Sequence, residues 1–302
     1  MGMVSTRLGR WRFDEHGSAR YPGDPPLVLL HGLMLDRCMW KAQIGALATL
    51  GRVLVFDGPG HGGSEAPPPF TLEDCADALA EALDEVRVAK AILVGHSWGG
   101  MTALRFALRH RQRLAGLAVV GASADPEPWG RWLKYRLYAA WVHRFGVPRS
   151  LARLELARLV YGPRARRARR QLVTDFEATV RAHPREGLAR AGLAVVDRAP
   201  LAAQLTLVAA PALVLCGRDD RTQPLARSED LARRIPGARL VVLPGGHTPP
   251  VERPEEFNAA LVPFLRQLLS SRLMAPTAEP PRRGGEAASG GIESRTRAAR
   301  AS

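Results

Sequence analysis

Gly95-His96-Ser97-Trp98-Gly99 places a serine between two glycines where an apolar run ends and a helical pattern begins. A serine hydroxyl becomes a useful nucleophile when a base takes its proton and a third group orients that base. Ala91-Ile92-Leu93-Val94 reads as a buried strand, and from Gly99 to His110 the apolar positions Met101, Leu104, Ala107 and Leu108 follow helical spacing. A chain that passes straight from strand to helix forces its middle residue into an unfavourable backbone conformation with little room beside it. Both flanking positions therefore do best without a Cβ. The pattern predicts the Ser97 hydroxyl at a strand's carboxyl end, over a helix amino terminus whose dipole favours developing negative charge.

A base for Ser97 has to come from eight histidines. His247 lies in Gly245-Gly246-His247-Thr248-Pro249-Pro250, directly after the last predicted strand, and loops at strand carboxyl ends gather on one rim of a parallel sheet. His96 is expected to point away across the turn. His31 and His61 fall in upstream loops, and His16, His110, His143 and His183 fall in a hairpin, a helix end and the middle of the chain. The orienting acid should also end a strand. The turn Gly217-Arg218-Asp219-Asp220-Arg221-Thr222-Gln223-Pro224 favours Asp220, with Asp219 as a solvated or capping neighbour and Asp125 as the reserve.

These groups need a frame. Arg7 to Tyr21 suits an antiparallel edge hairpin, followed by the strands Leu27–Leu30, Arg52–Phe56, Ala91–Val94, Leu117–Val120, Pro211–Cys216 and Arg239–Leu243. Helices over 39–50, 72–88, 99–110, 225–234 and 254–269 alternate with them. Short apolar strands alternating with helices predict an α/β fold: a mostly parallel, twisted sheet covered by helices on both faces. From Asp125 to about Ala203 no strand is expected, only helical stretches rich in Trp, Arg, Leu and Ala. The expected organisation is a core from 1–124 and 204–270, a helical lid over 125–203 between two strands, and a disordered tail over 271–302. Trp129, Trp132, Tyr135, Tyr138 and Trp141 cluster in that lid. Trp129, Trp132 and Trp141, with Met34, are the candidate pocket wall.

Composition narrows the classes. The net charge is +14, and 40 of the 43 basic residues are arginines. Between Asp125 and Pro200 there are 16 basic and 7 acidic residues. No basic-aromatic interleaving accompanies them, so no nucleic-acid partner is expected, and attraction to anionic substrates or surfaces is the better reading. Cys38, Cys75 and Cys216 show no C-x-x-C spacing, which suits a reducing compartment without a thiolate metal site. No secretory signal and no membrane-length apolar run is visible, so the expected location is cytoplasmic. Gly58-x-Gly60-x-x-Gly63 imitates a dinucleotide fingerprint, but Pro67-Pro68-Pro69 follow where a helix would have to begin. No metal or cofactor is expected.

The chain resembles α/β-hydrolase-fold serine hydrolases over roughly residues 7–270. The resemblance rests on His31-Gly32-Leu33, the Asp57–Ser64 loop, Gly95–Gly99, the Gly217–Pro224 turn and Gly246-His247, in that order. The order Ser97, Asp220, His247 is also the family's. The resemblance implies an oxyanion hole from the backbone N–H groups of Leu33 and Trp98, and a variable lid over the pocket. Ser97 stands where haloalkane dehalogenases and epoxide hydrolases carry aspartate, which disfavours those chemistries. The expected function is cleavage of a small carboxylic ester or related acyl substrate. Carbon–carbon bond hydrolysis of a vinylogous diketone and ligand sensing with slow turnover are the alternatives.

Overall fold

The computed structural model describes residues 1–273, with side chains through 270. The tail expected to be disordered from 271 starts too early, because the last helix continues to Leu273; the rest of it, 274–302, lies outside the described residues.

The chain opens with β1 (Gly2–Thr6) and β2 (Gly9–His16), an antiparallel hairpin whose turn falls at Arg7-Leu8. There follow β3 (Leu27–Leu30), helix α1 (Lys41–Ala48), β4 (Val53–Phe56), α2 (Leu72–Glu85), β5 (Ala91–His96), α3 (Trp98–Arg109) and β6 (Leu114–Val120). Everything regular between Trp129 and Leu207 is helical, starting with α4 (Trp129–Phe145). The sheet resumes with β7 (Ala212–Gly217) and β8 (Arg239–Leu243), and a final helix runs Pro254–Leu273. The order across the sheet is β1-β2-β4-β3-β5-β6-β7-β8. β1, β2 and β4 pair antiparallel, and every pairing from β4 through β8 is parallel.

Apolar period-2 patterning explains the layering. Leu27 and Leu29 face one side with Val53, Val55, Ile92 and Val94, under α1 and the final helix. Val28 and Leu30 face the other with Leu54, Phe56 and Leu93, under α2 and α3. Both faces are covered, so β3 to β7 read as continuous apolar runs rather than alternating ones. The start of α2 is fixed by a capping box: the Thr71 hydroxyl accepts from Asp74 N–H, and the Asp74 carboxylate accepts from Thr71 N–H.

Strand order reverses between β3 and β5, with β4 on one side of β3 and β5 on the other. Crevices open at such switch points beyond the strand carboxyl ends. The pairing Leu30↔Gly95 sets the loop after β3 beside the turn after β5. No helix among the described residues is long and apolar enough to cross a membrane.

Candidate active site

The turn after β5 has the strain that its sequence implies. Ser97 sits at φ 49° and ψ −110°, a positive φ that side chains rarely adopt. A Cβ on Gly95 would lie 2.4 Å from Gly99 O, and one on Gly99 would lie 2.5 Å from Leu30 O. The turn is pinned to its neighbours, since Ser97 N–H donates to Val120 O at 2.8 Å and Gly99 N–H to His31 O at 3.1 Å.

His247 Nε2 stands 2.9 Å from Ser97 Oγ, and His247 Nδ1 stands 2.7 Å from Asp220 Oδ2. The other oxygen of Asp220 accepts from Thr222 N–H and Gln223 N–H, each at 2.8 Å. A carboxylate with both oxygens engaged is an acceptor toward the ring, so Nδ1 carries the proton and Nε2 is left to accept from serine. All three side chains are buried. Neither Asp219 nor the reserve Asp125 reaches the imidazole; Asp220 does.

The backbone N–H groups near the turn divide into engaged and free. Met34 N–H is committed to His61 Nε2 at 3.3 Å and Gly99 N–H to His31 O. Leu33 N–H and Trp98 N–H, each next in sequence to one of those committed amides, have no hydrogen-bond partner among the described residues.

A cavity of about 130 Å³ opens over Ser97 and His247. Leu33, Met34 and Leu35 form its floor with Ser97; Tyr135, Tyr138, Ala139 and Val142 of α4 cover it, and Leu188 and Val195 close its side. Of the four residues expected in the pocket wall, Met34 alone lines it. Trp129 and Trp141 are exposed on the far side of α4, and the Trp132 indole N–H donates to Asp197 at 2.9 Å. The cause is helical phase: the cavity-facing positions 131, 135, 138, 139 and 142 fall on one arc of α4, and the tryptophans fall off it.

Four further histidines support these loops. His31 Nε2 accepts from Gly58 N–H at 2.8 Å, His61 Nε2 from Met34 N–H, and His183 Nδ1 from Gly62 N–H at 3.1 Å. His96 does not simply point away. Its ring lies 4.8 Å from that of His247 and its Nε2 donates to His247 O at 2.8 Å. Burial lowers the affinity of His31, His61 and His96 for a proton, and brings His183 to about 4, with the nearby His31 adding to it.

These shifts make stability depend on pH. Between pH 6.5 and about 4 the unfolded chain protonates His183 while the folded chain leaves it neutral. The unfolded state therefore binds more protons across that window, and stability falls as pH drops through it. His183 alone is expected to cost about 3 kcal/mol by pH 4, and His31, His61 and His96 act in the same direction. Urea unfolding from pH 7 to 4 measures the slope. His183→Asn, which keeps an acceptor for Gly62 but cannot protonate, should make it shallower; an unchanged slope would remove His183 from the account.

The His247 loop has a brace that sequence reading did not anticipate. Glu252 is buried, and its Oε2 accepts from Gly246 N–H and Gly162 N–H at 3.0 Å while Oε1 accepts from Thr248 N–H at 3.2 Å. The residues on both sides of His247 are thus held by one carboxylate. Glu252→Ala orphans three buried donors, each worth roughly 1–3 kcal/mol. A stability loss of about 3 kcal/mol or more is expected, read as a fall in Tm of roughly 5 °C or more for a chain of this size. Thermal unfolding with steady-state kinetics tests it: kcat should fall with KM nearly unchanged, and Glu252→Gln should recover part of both. An Ala variant with wild-type Tm would refute the brace.

Comparison with known proteins fits this geometry. Residues 27–260 match the family described as "Alpha/beta hydrolase family". The chain belongs to the α/β hydrolase family. Within it, the chain is 31% identical over 258 residues to the Caulobacter vibrioides protein named "Putative carbamate hydrolase RutD", covering 84% of this chain and 94% of that one. It is 33% identical over 242 residues to pimeloyl-acyl-carrier-protein methyl ester esterase of Aromatoleum aromaticum, covering 77% and 94%. The solved thermophilic esterase of Thermogutta terrifontis superposes with a TM-score of 0.81 at 32% identity, over 88% of this chain and 98% of that one. As a family member the protein is an α/β hydrolase enzyme, with hydrolases and esterases among its relatives.

Proposed function

We propose that this α/β hydrolase cleaves a small carboxylic ester or related acyl substrate through Ser97, His247 and Asp220. The observation that carries the reading is the chain of contacts from Ser97 Oγ to His247 Nε2 (2.9 Å) and from His247 Nδ1 to Asp220 Oδ2 (2.7 Å), at the floor of an apolar cavity.

Ser97 Oγ attacks the substrate carbonyl carbon while its proton passes to His247 Nε2. The carbonyl oxygen takes up the negative charge and is held by Leu33 N–H and Trp98 N–H, neither of which has another partner among the described residues, with the amino terminus of α3 adding its dipole. Collapse breaks the bond to the alcohol, which leaves with the proton from Nε2. Water then attacks the acyl-serine, gives a proton to Nε2, and the second collapse returns that proton to Ser97 and releases the acid. Asp220 keeps the imidazole in the tautomer that can accept and stabilises the imidazolium in between. The sequence calls for no cofactor in this scheme. The helices of 125–203 act as the cap over a core made of 1–124 and 204–270, and Met34, Tyr135 and Tyr138 shape the acyl pocket.

Short-chain esters, thioesters, lactones and a vinylogous diketone compared side by side test the reading. Multiple turnover is expected with the esters, exceeding the diketone in kcat/KM. Preference for the diketone would reassign the protein to carbon–carbon cleavage, and stoichiometric turnover followed by arrest would point to a ligand sensor.

A further inference from the structure

The tryptophans that miss the cavity form a pattern of their own. Trp129, Leu133, Leu137, Trp141 and Phe145 recur every fourth residue along the full length of α4, and all five are 38–75% exposed. A step of four residues advances about 40° around a helix, so the five form an inclined apolar stripe that winds through about 160° from Trp129 to Phe145. Two indoles, two leucines and a phenylalanine in a row exceed the single exposed apolar residues that any surface carries. The Trp141 and Phe145 rings lie 4.6 Å apart, and the Arg144 guanidinium rests over Phe145 at 5.2 Å.

The charges that α4 itself carries have one sign. α4 carries Arg131, Lys134, Arg136 and Arg144 and no acidic residue. Arg131 pairs with Glu127 and Arg136 with Asp197, whereas Lys134 and Arg144 make no ion pair among the described residues. Arg185 reaches the same end of the helix, donating to Arg144 O at 3.4 Å.

We propose that the outer face of α4 docks on an anionic lipid bilayer. Apolar and aromatic side chains flanked by cations, on a helix without acids, suit burial at the boundary between headgroups and acyl chains. A second copy of the chain fits less well, because a two-fold contact through the stripe would bring the cations of one α4 against those of the other with no α4 carboxylate to meet them. Tyr135, Tyr138, Ala139 and Val142, on the side of α4 away from Trp129, Leu133 and Leu137, cover the cavity above Ser97. On the acyl-hydrolase reading above, docking therefore sets the bilayer and the pocket on two sides of one helix, within reach of esters dissolved in the membrane.

The full chain, sedimented with phosphatidylcholine vesicles with and without phosphatidylglycerol, tests the docking without any turnover. Binding to the phosphatidylglycerol vesicles is expected to exceed binding to pure phosphatidylcholine by roughly tenfold and to weaken with salt. Tryptophan emission should shift to the blue on binding. Leu137→Ser with Trp141→Ser should lower binding about tenfold while Tm and turnover of a water-soluble ester stay unchanged. Lys134→Gln with Arg144→Gln should remove the preference for the anionic lipid. Absence of binding to either vesicle overturns the proposal. So does a dimer seen by light scattering that the Leu137→Ser, Trp141→Ser variant dissociates. Loss of the hydrolytic reading would leave the sedimentation result standing.

Discussion

Ser97→Ala is expected to lower kcat by a factor on the order of 10⁴ to 10⁶, with KM little changed. That corresponds to roughly 5–8 kcal/mol of transition-state stabilisation, far more than one surface hydroxyl contributes to anything else. The size follows from geometry: Ser97 Oγ is the atom 2.9 Å from His247 Nε2, and no other hydroxyl among the described residues meets that nitrogen. Alanine bears the positive φ of position 97 at much the same cost as serine, and the clearances required of Gly95 and Gly99 do not involve the hydroxyl. Circular dichroism and Tm should therefore match the wild type, separating lost chemistry from lost fold. Residual rate over water would come from the amides of Leu33 and Trp98. Removing His247 as well should add little, because the two side chains act as one unit. Steady-state kinetics on a chromogenic ester decides the matter, and near-wild-type turnover in the alanine variant would end the assignment.

How much of this was legible without coordinates varies with the kind of signal. Ser97, Asp220 and His247 each end a short apolar strand in a Gly- or Asp-rich turn, so strand polarity alone gathers them on one rim. The strands themselves were legible because β3 to β7 are buried on both faces and read as unbroken apolar runs. Register at the ends was less so. The edge hairpin begins at Gly2, ahead of the first visible alternation, and β6 extends back to Leu114.

The pocket wall was misread for a physical reason. α4 is apolar on two sides, one toward the cavity and one toward solvent, so its sequence has no polar face to set the rotation. Large aromatics were a poor guide there: Tyr135 and Tyr138 face inward and Trp129 and Trp141 outward. Glu252, His31, His61 and His183 were invisible in a different way. Each accepts hydrogen bonds from backbone N–H groups, in most cases far away along the chain, and backbone partners leave no mark in residue identity. Only the position of Glu252, just after the His247 loop in the one-turn helix Pro249–Glu252, offered a hint.

Asp220→Asn is expected to cost about 10⁴ in kcat while Asp125→Asn costs nearly nothing. The asparagine is isosteric and can still accept from Thr222 N–H and Gln223 N–H through its Oδ1. The loop then stays in place, but the amide NH₂ falls opposite His247 Nδ1, where Oδ2 was. A donor there demands an acceptor, so Nδ1 must give up its hydrogen and the neutral ring carries it on Nε2 instead. That nitrogen then faces Ser97 with a proton and cannot take another. The defect is thus one of tautomer rather than position, and it has a signature. Tm should be nearly preserved, and kcat should recover at high pH, where hydroxide can remove the serine proton directly. Asp125 makes no hydrogen bond to His247; its carbonyl accepts from Ser123 Oγ at 3.0 Å and its charge acts on Arg234. If Asp125→Asn removed activity and Asp220→Asn kept it, the acid would have to be reassigned despite the 2.7 Å contact, and the imidazole would have to turn during the reaction.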